Sequence, residues 1–222
     1  MIWTLCRDAD DLAIRGCERI LRFAAQAIEM RGAFKLVLAG GSTPDACYRL
    51  LAESDSDWCN WHIYFGDERC LPARDPQRNS LMAERSLLAR VPVPARQIHP
   101  IPAHLGAEAA ARSYSAMLVE VYPFDLVLLG LGEDGHTASL FPGSALDGSA
   151  DVVAIRDAPK PPAERVSLNA AALSNCHHLL YLISGEGKRE AVRRWRDNAP
   201  IPAAAVTAFD SVERLVDLSA WG

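Results

Sequence analysis

The 222-residue sequence has no apolar run near the roughly 18 residues of a membrane-spanning helix, which excludes a helical membrane anchor. It has no basic tract and no stripe of interleaved basic and aromatic side chains. With 23 basic and 28 acidic residues the formal net charge is −5, which excludes a general nucleic-acid surface. It also has no C-x-x-C pair: Cys6, Cys17, Cys47, Cys59, Cys70 and Cys176 are scattered. The start, Met1-Ile2-Trp3-Thr4-Leu5-Cys6-Arg7-Asp8, lacks the basic opening and apolar core of a secretory signal. These absences together lead to the expectation of a cytoplasmic protein with reduced thiols. Nothing marks Cys70 as a nucleophile, because an activated thiolate needs electropositive help and a base. Internal repeats, low-complexity tracts and a convincing linker are missing too, so residues 1–222 read as one domain whose apolar half can fill a substantial core. The proline-dense Pro159-Lys160-Pro161-Pro162 reads as a surface loop, since the remainder of the chain beyond it is near the lower size limit for a separate core.

What is present is an alternation of strand and helix signals. Leu12 to Met30 has helical apolar spacing and ends at Gly32, a suitable C-terminal cap. Phe34 to Ala39 and Trp61 to Phe65 read as strands, with a helix from Pro44 to Ala52 between them. Helical spacing returns at Asn79 to Leu88 and Ala107 to Val121; Val91 to Pro94 and Pro100 to Pro102 are extended connectors. Asp125 to Leu129 has the length and branching of a strand buried on both faces. Further strand signals stand at Val152 to Ile155, His178 to Ile183 and Val212 to Val216, with a helix at Glu186 to Trp195. This order predicts a three-layer α/β/α sandwich on a mostly parallel, Rossmann-like sheet.

In such a sheet the loops after strand C-termini share one edge, where α/β proteins place ligands. Four of them carry notable residues. Gly40-Gly41-Ser42-Thr43-Pro44 reads as a glycine-rich turn with Thr43 as N-cap and Pro44 at the first helical position; it suits an anion or sugar, or is a plain strand-to-helix turn. Gly66-Asp67-Glu68-Arg69-Cys70 sets three charges just past a strand, which need partners if buried and otherwise form a solvated turn. Gly130 to Gly143 holds Asp134 and His136, a plausible general-base pair or a hydrogen-bonded turn. Ser184-Gly185-Glu186-Gly187-Lys188 places a lysine near a helix N-terminus, the wrong sign for the helix dipole unless an anion binds there; a solvated lysine is the alternative.

Two tempting readings fail. Gly130, Gly132 and Gly135 spell G-x-G-x-x-G, but a dinucleotide site needs a long helix directly after the loop, and Pro142, Gly143 and Gly148 interrupt any helix there. The lysine loop is not a P-loop either, because the first glycine of that motif would fall on Leu182. His177-His178 does not suggest a metal, since neighbours on a strand face opposite ways and no Cys or carboxylate stands at ligand spacing.

The three segments Gly40 to Pro44, Gly66 to Arg69 and Gly130 to Gly143 closely resemble, in order and spacing, the 6-phosphogluconolactonase family and its relatives, the glucosamine-6-phosphate deaminases. The resemblance covers the length of the chain, and its third motif is the most specific. It implies a cytosolic enzyme that opens 6-phospho-D-glucono-1,5-lactone in the oxidative pentose phosphate pathway. It implies no cofactor, no metal, no nucleic-acid or membrane partner, and a monomer whose ligand is a small phosphorylated sugar lactone. Carried over residue by residue, His136 becomes the general base with Asp134 beside it and Arg69 near the reacting carbonyl. Gly41, Ser42, Arg165 and Lys188 hold the phosphate, while Gly40, Thr43, Asp67, Glu68 and Gly132 complete the substrate contacts. By itself Arg165 would be read as a surface arginine. Arg78 and Asn169 depart from the family pattern, where a small polar residue and a hydroxyl are usual; both bear on fine contacts with substrate. A deaminase would carry a glutamate five residues beyond its histidine, and here that position is Phe141. A sugar-phosphate-binding domain without catalysis is the other alternative, disfavoured because binding alone needs no base.

Overall fold

The computed structural model describes residues 2–143 and 150–222; Gly148 lies outside them. Through those residues the chain runs β1 (Ile2–Cys6), α1 (Ala9–Arg31), β2 (Phe34–Leu38), α2 (Ser42–Leu51), β3 (Trp61–Phe65), β4 (Asp67–Arg69), α3 (Asn79–Ala83), α4 (Ala107–Leu118), β5 (Phe124–Leu129), β6 (Val152–Ile155), β7 (Arg165–Leu168), α5 (Ala170–Ser174), β8 (Cys176–Ile183), α6 (Arg189–Arg196), β9 (Ser211–Asp217) and α7 (Leu218–Trp221). Six strands form one parallel sheet in the order β1-β9-β8-β5-β2-β3, flanked by helices, as the strand–helix alternation predicts. β5 lies in the interior of that order and is buried along its whole length, which explains its unbroken apolar sequence. Asp125 is its polar exception; it accepts from Arg31 and from the Lys35 backbone N–H at 2.7 Å.

Local signals account for the helix ends. Asp8 caps α1 by accepting from Asp11 N–H at 2.8 Å, and Gly32 closes it in the left-handed region, φ 76°. The start of α2 corrects the expectation. Gly41, at φ 108°, is the cap; Ser42 opens the helix, and Pro44 is its third residue rather than its first. Proline is tolerated there because its missing N–H belongs to the first turn, where no intrahelical acceptor exists. The Tyr48 hydroxyl accepts from Ala39 N–H and donates to Ala39 C=O, both at 2.9 Å, which ties α2 to the end of β2 and fixes the glycine turn between them. The Asn79–Leu88 helix also differs from a plain helix: its second half, Glu84–Leu88, widens into a π turn. The segment from Glu186 likewise begins as a 3₁₀ turn, Glu186–Lys188, before α6.

Among the strands, two features lie outside the sequence reading, and the short helices α5 and α7 do as well. β1 is an edge strand parallel to β9. The second is a small antiparallel sheet, β4-β7-β6. Val152 to Ile155 therefore joins this sheet and not the parallel one, and Asp67 to Arg69 form a strand, not a turn. Gly66 connects the two sheets: its N–H donates to Leu38 C=O at 3.1 Å, and its C=O accepts from Leu168 N–H at 2.8 Å. The small sheet thus begins where β3 ends, at the C-terminal edge of the large one.

Asp67 and Glu68 are buried and Arg69 is half-buried, and such burial of charge needs compensation. Glu68 is fully buried. Its carboxylate accepts from the backbone N–H groups of Arg69, Asn79 and Ser80 at 2.8 to 2.9 Å and pairs with buried Arg78 at 3.3 Å. Two of those N–H groups open α3 and have no partner within it. Replacing Glu68 by Gln leaves Arg78 without its counter-charge. The variant should lose about 3 kcal/mol of stability, read as a lower urea midpoint; an unshifted midpoint would contradict this pairing.

Candidate active site

A cavity of about 360 Å³ opens at the C-terminal edge of the parallel sheet. Its floor is the ends of β2, β5 and β8; its walls include the glycine turn 40–44, Asp67 and Arg69 of β4, Arg165 of β7 and the loop residues Lys160 and Pro161. Ten residues expected from sequence line it: Gly40, Gly41, Ser42, Thr43, Asp67, Arg69, Gly132, His136, Arg165 and Lys188. Asp134 stands behind His136. Glu68, expected among the substrate contacts, does not line the cavity, because its carboxylate is committed to Arg78 and the start of α3. Lining residues that the sequence reading passed over are Asn79, Thr137, Lys160 and Ser184. A signal existed for Lys160: a proline-dense loop just before Arg165 stiffens whatever it carries.

The Asp134–His136 loop is closed on itself. Gly132 N–H donates to His136 C=O at 2.7 Å and Gly135 N–H to Gly132 C=O at 3.0 Å. Thr137 Oγ1 donates to Gly130 C=O at 2.8 Å. Gly135 takes φ 91°, and Ala138 takes φ 47° without being glycine, a local strain held by the surrounding bonds. This folding brings two side chains only two residues apart into contact: His136 Nδ1 lies 2.5 Å from Asp134 Oδ1. With the carboxylate accepting at Nδ1, the lone pair of the neutral ring is at Nε2. Burial lowers the His136 pKa below its ordinary 6.5, and the Asp134 charge opposes this without overcoming it. Burial works to raise the Asp134 carboxyl, but hydrogen bonds from the His136 ring and backbone outweigh it and hold the pKa below 3.8. The pair is therefore a carboxylate and an uncharged imidazole at neutral pH.

The ring is also held by packing. Phe141 lies 4.8 Å from the His136 ring, centroid to centroid, and its other neighbour is the Arg165 guanidinium at 5.5 Å. An apolar wall thus stands where the deaminase pattern calls for a carboxylate. Gly132 presses so close that a Cβ there would sit 1.9 Å from His136 Nδ1.

The remaining charges are individually anchored. Asp67 accepts from Ser139 Oγ at 2.6 Å and Asn79 Nδ2 at 2.9 Å; burial raises its pKa, and Arg69 and Arg165 oppose the rise. Arg69 lines the cavity and donates to Gln77 C=O, while its Nε is buried without a hydrogen-bond partner. Arg165 is buried, not superficial. It donates to the carbonyls of Pro162 at 3.0 Å and Lys160 at 2.9 Å, which organises the proline-dense loop around it. Burial lowers the Lys188 pKa, opposed by Glu133. The departures Arg78 and Asn169 are structural: Arg78 pairs with Glu68, and Asn169 caps α5 by accepting from Ala172 N–H at 2.7 Å. A second cleft adjoins the cavity at Gly41, Ser42, Arg69 and Asn79; its Arg49, Arg78 and Arg90 are already paired with Asp45, Glu68 and Glu53. His177 and His178 bond separately to Asp210 and Ser211. Among the described residues, no helix is long and apolar enough to cross a membrane.

Comparisons with known proteins bear on the family and the fold. The family model described as "Glucosamine-6-phosphate isomerases/6-phosphogluconolactonase" matches residues 7–215. The chain is 37% identical over 209 residues to "6-phosphogluconolactonase 3, chloroplastic" of Arabidopsis thaliana, covering 84% of this chain and 64% of that protein. It is 34% identical over 232 residues to the 6-phosphogluconolactonase of Mycobacterium tuberculosis, covering 96% of this chain and 94% of that one. The crystal structure of 6-phosphogluconolactonase from Thermotoga maritima superposes with a TM-score of 0.92 at 28% identity, over 97% of this chain and 99% of that one.

Gly132→Ala tests the local geometry. The added methyl has no room beside Nδ1, so the ring must move while the sheet stays intact. Turnover should fall about 100-fold or more with an unchanged far-UV circular dichroism spectrum; full activity would mean that the ring position does not matter.

Proposed function

The chain belongs to the glucosamine-6-phosphate isomerase/6-phosphogluconolactonase family, and on that premise we propose that it hydrolyses 6-phospho-D-glucono-1,5-lactone to 6-phospho-D-gluconate. The observation that carries this reading is the Asp134–His136 pair at one side of a cavity whose other walls bear Arg69, Arg165, Lys160 and Lys188. A base and a set of cations around one small space suit a neutral electrophile attached to a phosphate.

In this mechanism a water molecule attacks the lactone carbonyl carbon while His136 Nε2 accepts its proton. A C–O bond forms, and negative charge develops on the carbonyl oxygen. The Arg69 guanidinium, on the cavity wall, is suited to receive that charge. Collapse of the tetrahedral intermediate breaks the ring C–O bond, and the proton held by His136 passes to the departing ring oxygen. Asp134 keeps the ring in the useful tautomer and stabilises its transient cation. The glycine turn with Ser42, together with Arg165 and Lys188, holds the phosphate and sets the carbonyl against the base. Phe141 favours lactone hydrolysis over deamination, since it offers no carboxylate to assist opening of an amino-sugar ring. The six free thiols suit a cytosolic setting.

The test is a direct assay with freshly generated 6-phosphogluconolactone, corrected for spontaneous opening, beside glucosamine 6-phosphate. His136→Ala should lower lactone turnover by roughly 10²- to 10⁴-fold while 6-phosphogluconate still binds. Turnover of glucosamine 6-phosphate, or undiminished turnover of the lactone, would remove the proposal. The pH profile is set by the charges. Because burial depresses the His136 pKa, kcat/KM should hold steady from neutrality down past pH 6.5 and fall only below it. Asp134 raises that pKa, so Asp134→Asn should move the acid limb still lower while reducing kcat by roughly 10²- to 10⁴-fold. A limb that moves upward would reverse the assignment.

A further inference from the structure

Glu133, next to the Asp134–His136 pair, has no part in the lactone hydrolysis and does not line the cavity. Its carboxylate nevertheless pairs with one cation that does and lies against the turn that carries another. Oε2 lies 3.5 Å from Lys160 Nζ. Oε1 lies 3.2 Å from the point where a Cβ on Gly187 would stand, so the carboxylate rests against the turn that carries Lys188. The two ammonium groups reach the same rim from different directions: Lys160 from the loop gripped by Arg165, Lys188 from the turn after β8. Lys160 disfavours the charge on Lys188, and Glu133 offsets that repulsion. The Glu133 side chain is 62% exposed, so it can leave for water at little cost.

We propose that Glu133 is a resident counter-ion, whose carboxylate occupies the space between Lys160 and Lys188 until the substrate's phosphate displaces it. This inference rests on the reading that the phosphate end of the substrate lies at Lys188. A phosphate monoester brings close to two negative charges and three acceptor oxygens, against one charge and two oxygens in Glu133. It therefore wins the lysines. A sugar acid entering in reverse, with its carboxylate toward the lysines, competes charge for charge and gains little. Glu133 thus lowers the affinity for any anion that must displace it, and so sets how tightly the phosphate end of the substrate is held. Gly187 is part of the arrangement, because a side chain there would press on the carboxylate.

The test compares Glu133→Gln and Lys188→Ala with the unmodified protein, using KM for the phosphorylated lactone and the competitive inhibition constant of inorganic phosphate. Glu133→Gln should lower both by roughly 2- to 5-fold, the size of a partly exposed ion pair. Removing a residue of purely structural value would raise KM, so the direction separates the two roles. Lys188→Ala should raise both values. If Lys188→Ala raises them and Glu133→Gln leaves them unchanged or higher, the counter-ion assignment is wrong and the phosphate anchor stands. If Lys188→Ala changes neither, the anchor itself is misplaced and the counter-ion assignment falls with it.

Discussion

The site depends on one contact, the hydrogen bond between Asp134 and the Nδ1 side of His136. It sets the tautomer, leaves Nε2 with its lone pair, and holds a ring that burial keeps uncharged. Such a contact between residues two apart is unusual and needs a loop tightly closed by other means. The chain supplies these through the Gly132–His136 and Gly132–Gly135 backbone bonds, the Thr137–Gly130 clamp and the left-handed residues Gly135 and Ala138. All of them depend on β5, whose buried apolar run ends at Leu129 and delivers the loop at a rigid edge.

The other side of the cavity is made differently. There the small antiparallel sheet carries Asp67, Glu68, Arg69 and Arg165, charges that would be costly to bury singly. They divide the labour. Glu68 and Arg78 satisfy each other and anchor α3, while Asp67 binds Ser139 of the opposite loop, so that the walls are cross-linked. Arg165 commits two of its nitrogens to loop carbonyls. What remains toward the cavity is a surplus of positive charge inside a protein whose net charge is negative.

Much of this is legible in the residues. The apolar runs of β2, β3, β5 and β8 carry their burial openly, and the glycine-punctuated loops after them mark the ligand edge. The parts that escape share a physical cause. β4 reads Asp-Glu-Arg, a composition that says turn; only pairing with β7, far along the chain, makes it a strand. Glu68 resembles a ligand group because the sequence shows a charge without its partners, and Arg165 looks superficial for the same reason. Thr43-Pro44 fits the pattern of a helix cap, whereas Gly41, at positive φ, caps α2 and the helix starts at Ser42, two residues earlier than that pattern places it. Lys160 and Asn79 stand outside the four loops, and tertiary packing brings them to the cavity.

Gly66 serves both sheets through a single residue, giving its N–H to the parallel sheet and its C=O to the antiparallel one. Melting need not then be uniform. The two sheets are separate ladders of backbone hydrogen bonds joined at Gly66 and by the Asp67–Ser139 cross-link, and exchange of the Leu168 amide with solvent reports their parting, while amides deep in β5 report the collapse of the whole. A protein built this way can lose its catalytic chamber while most of its secondary structure survives.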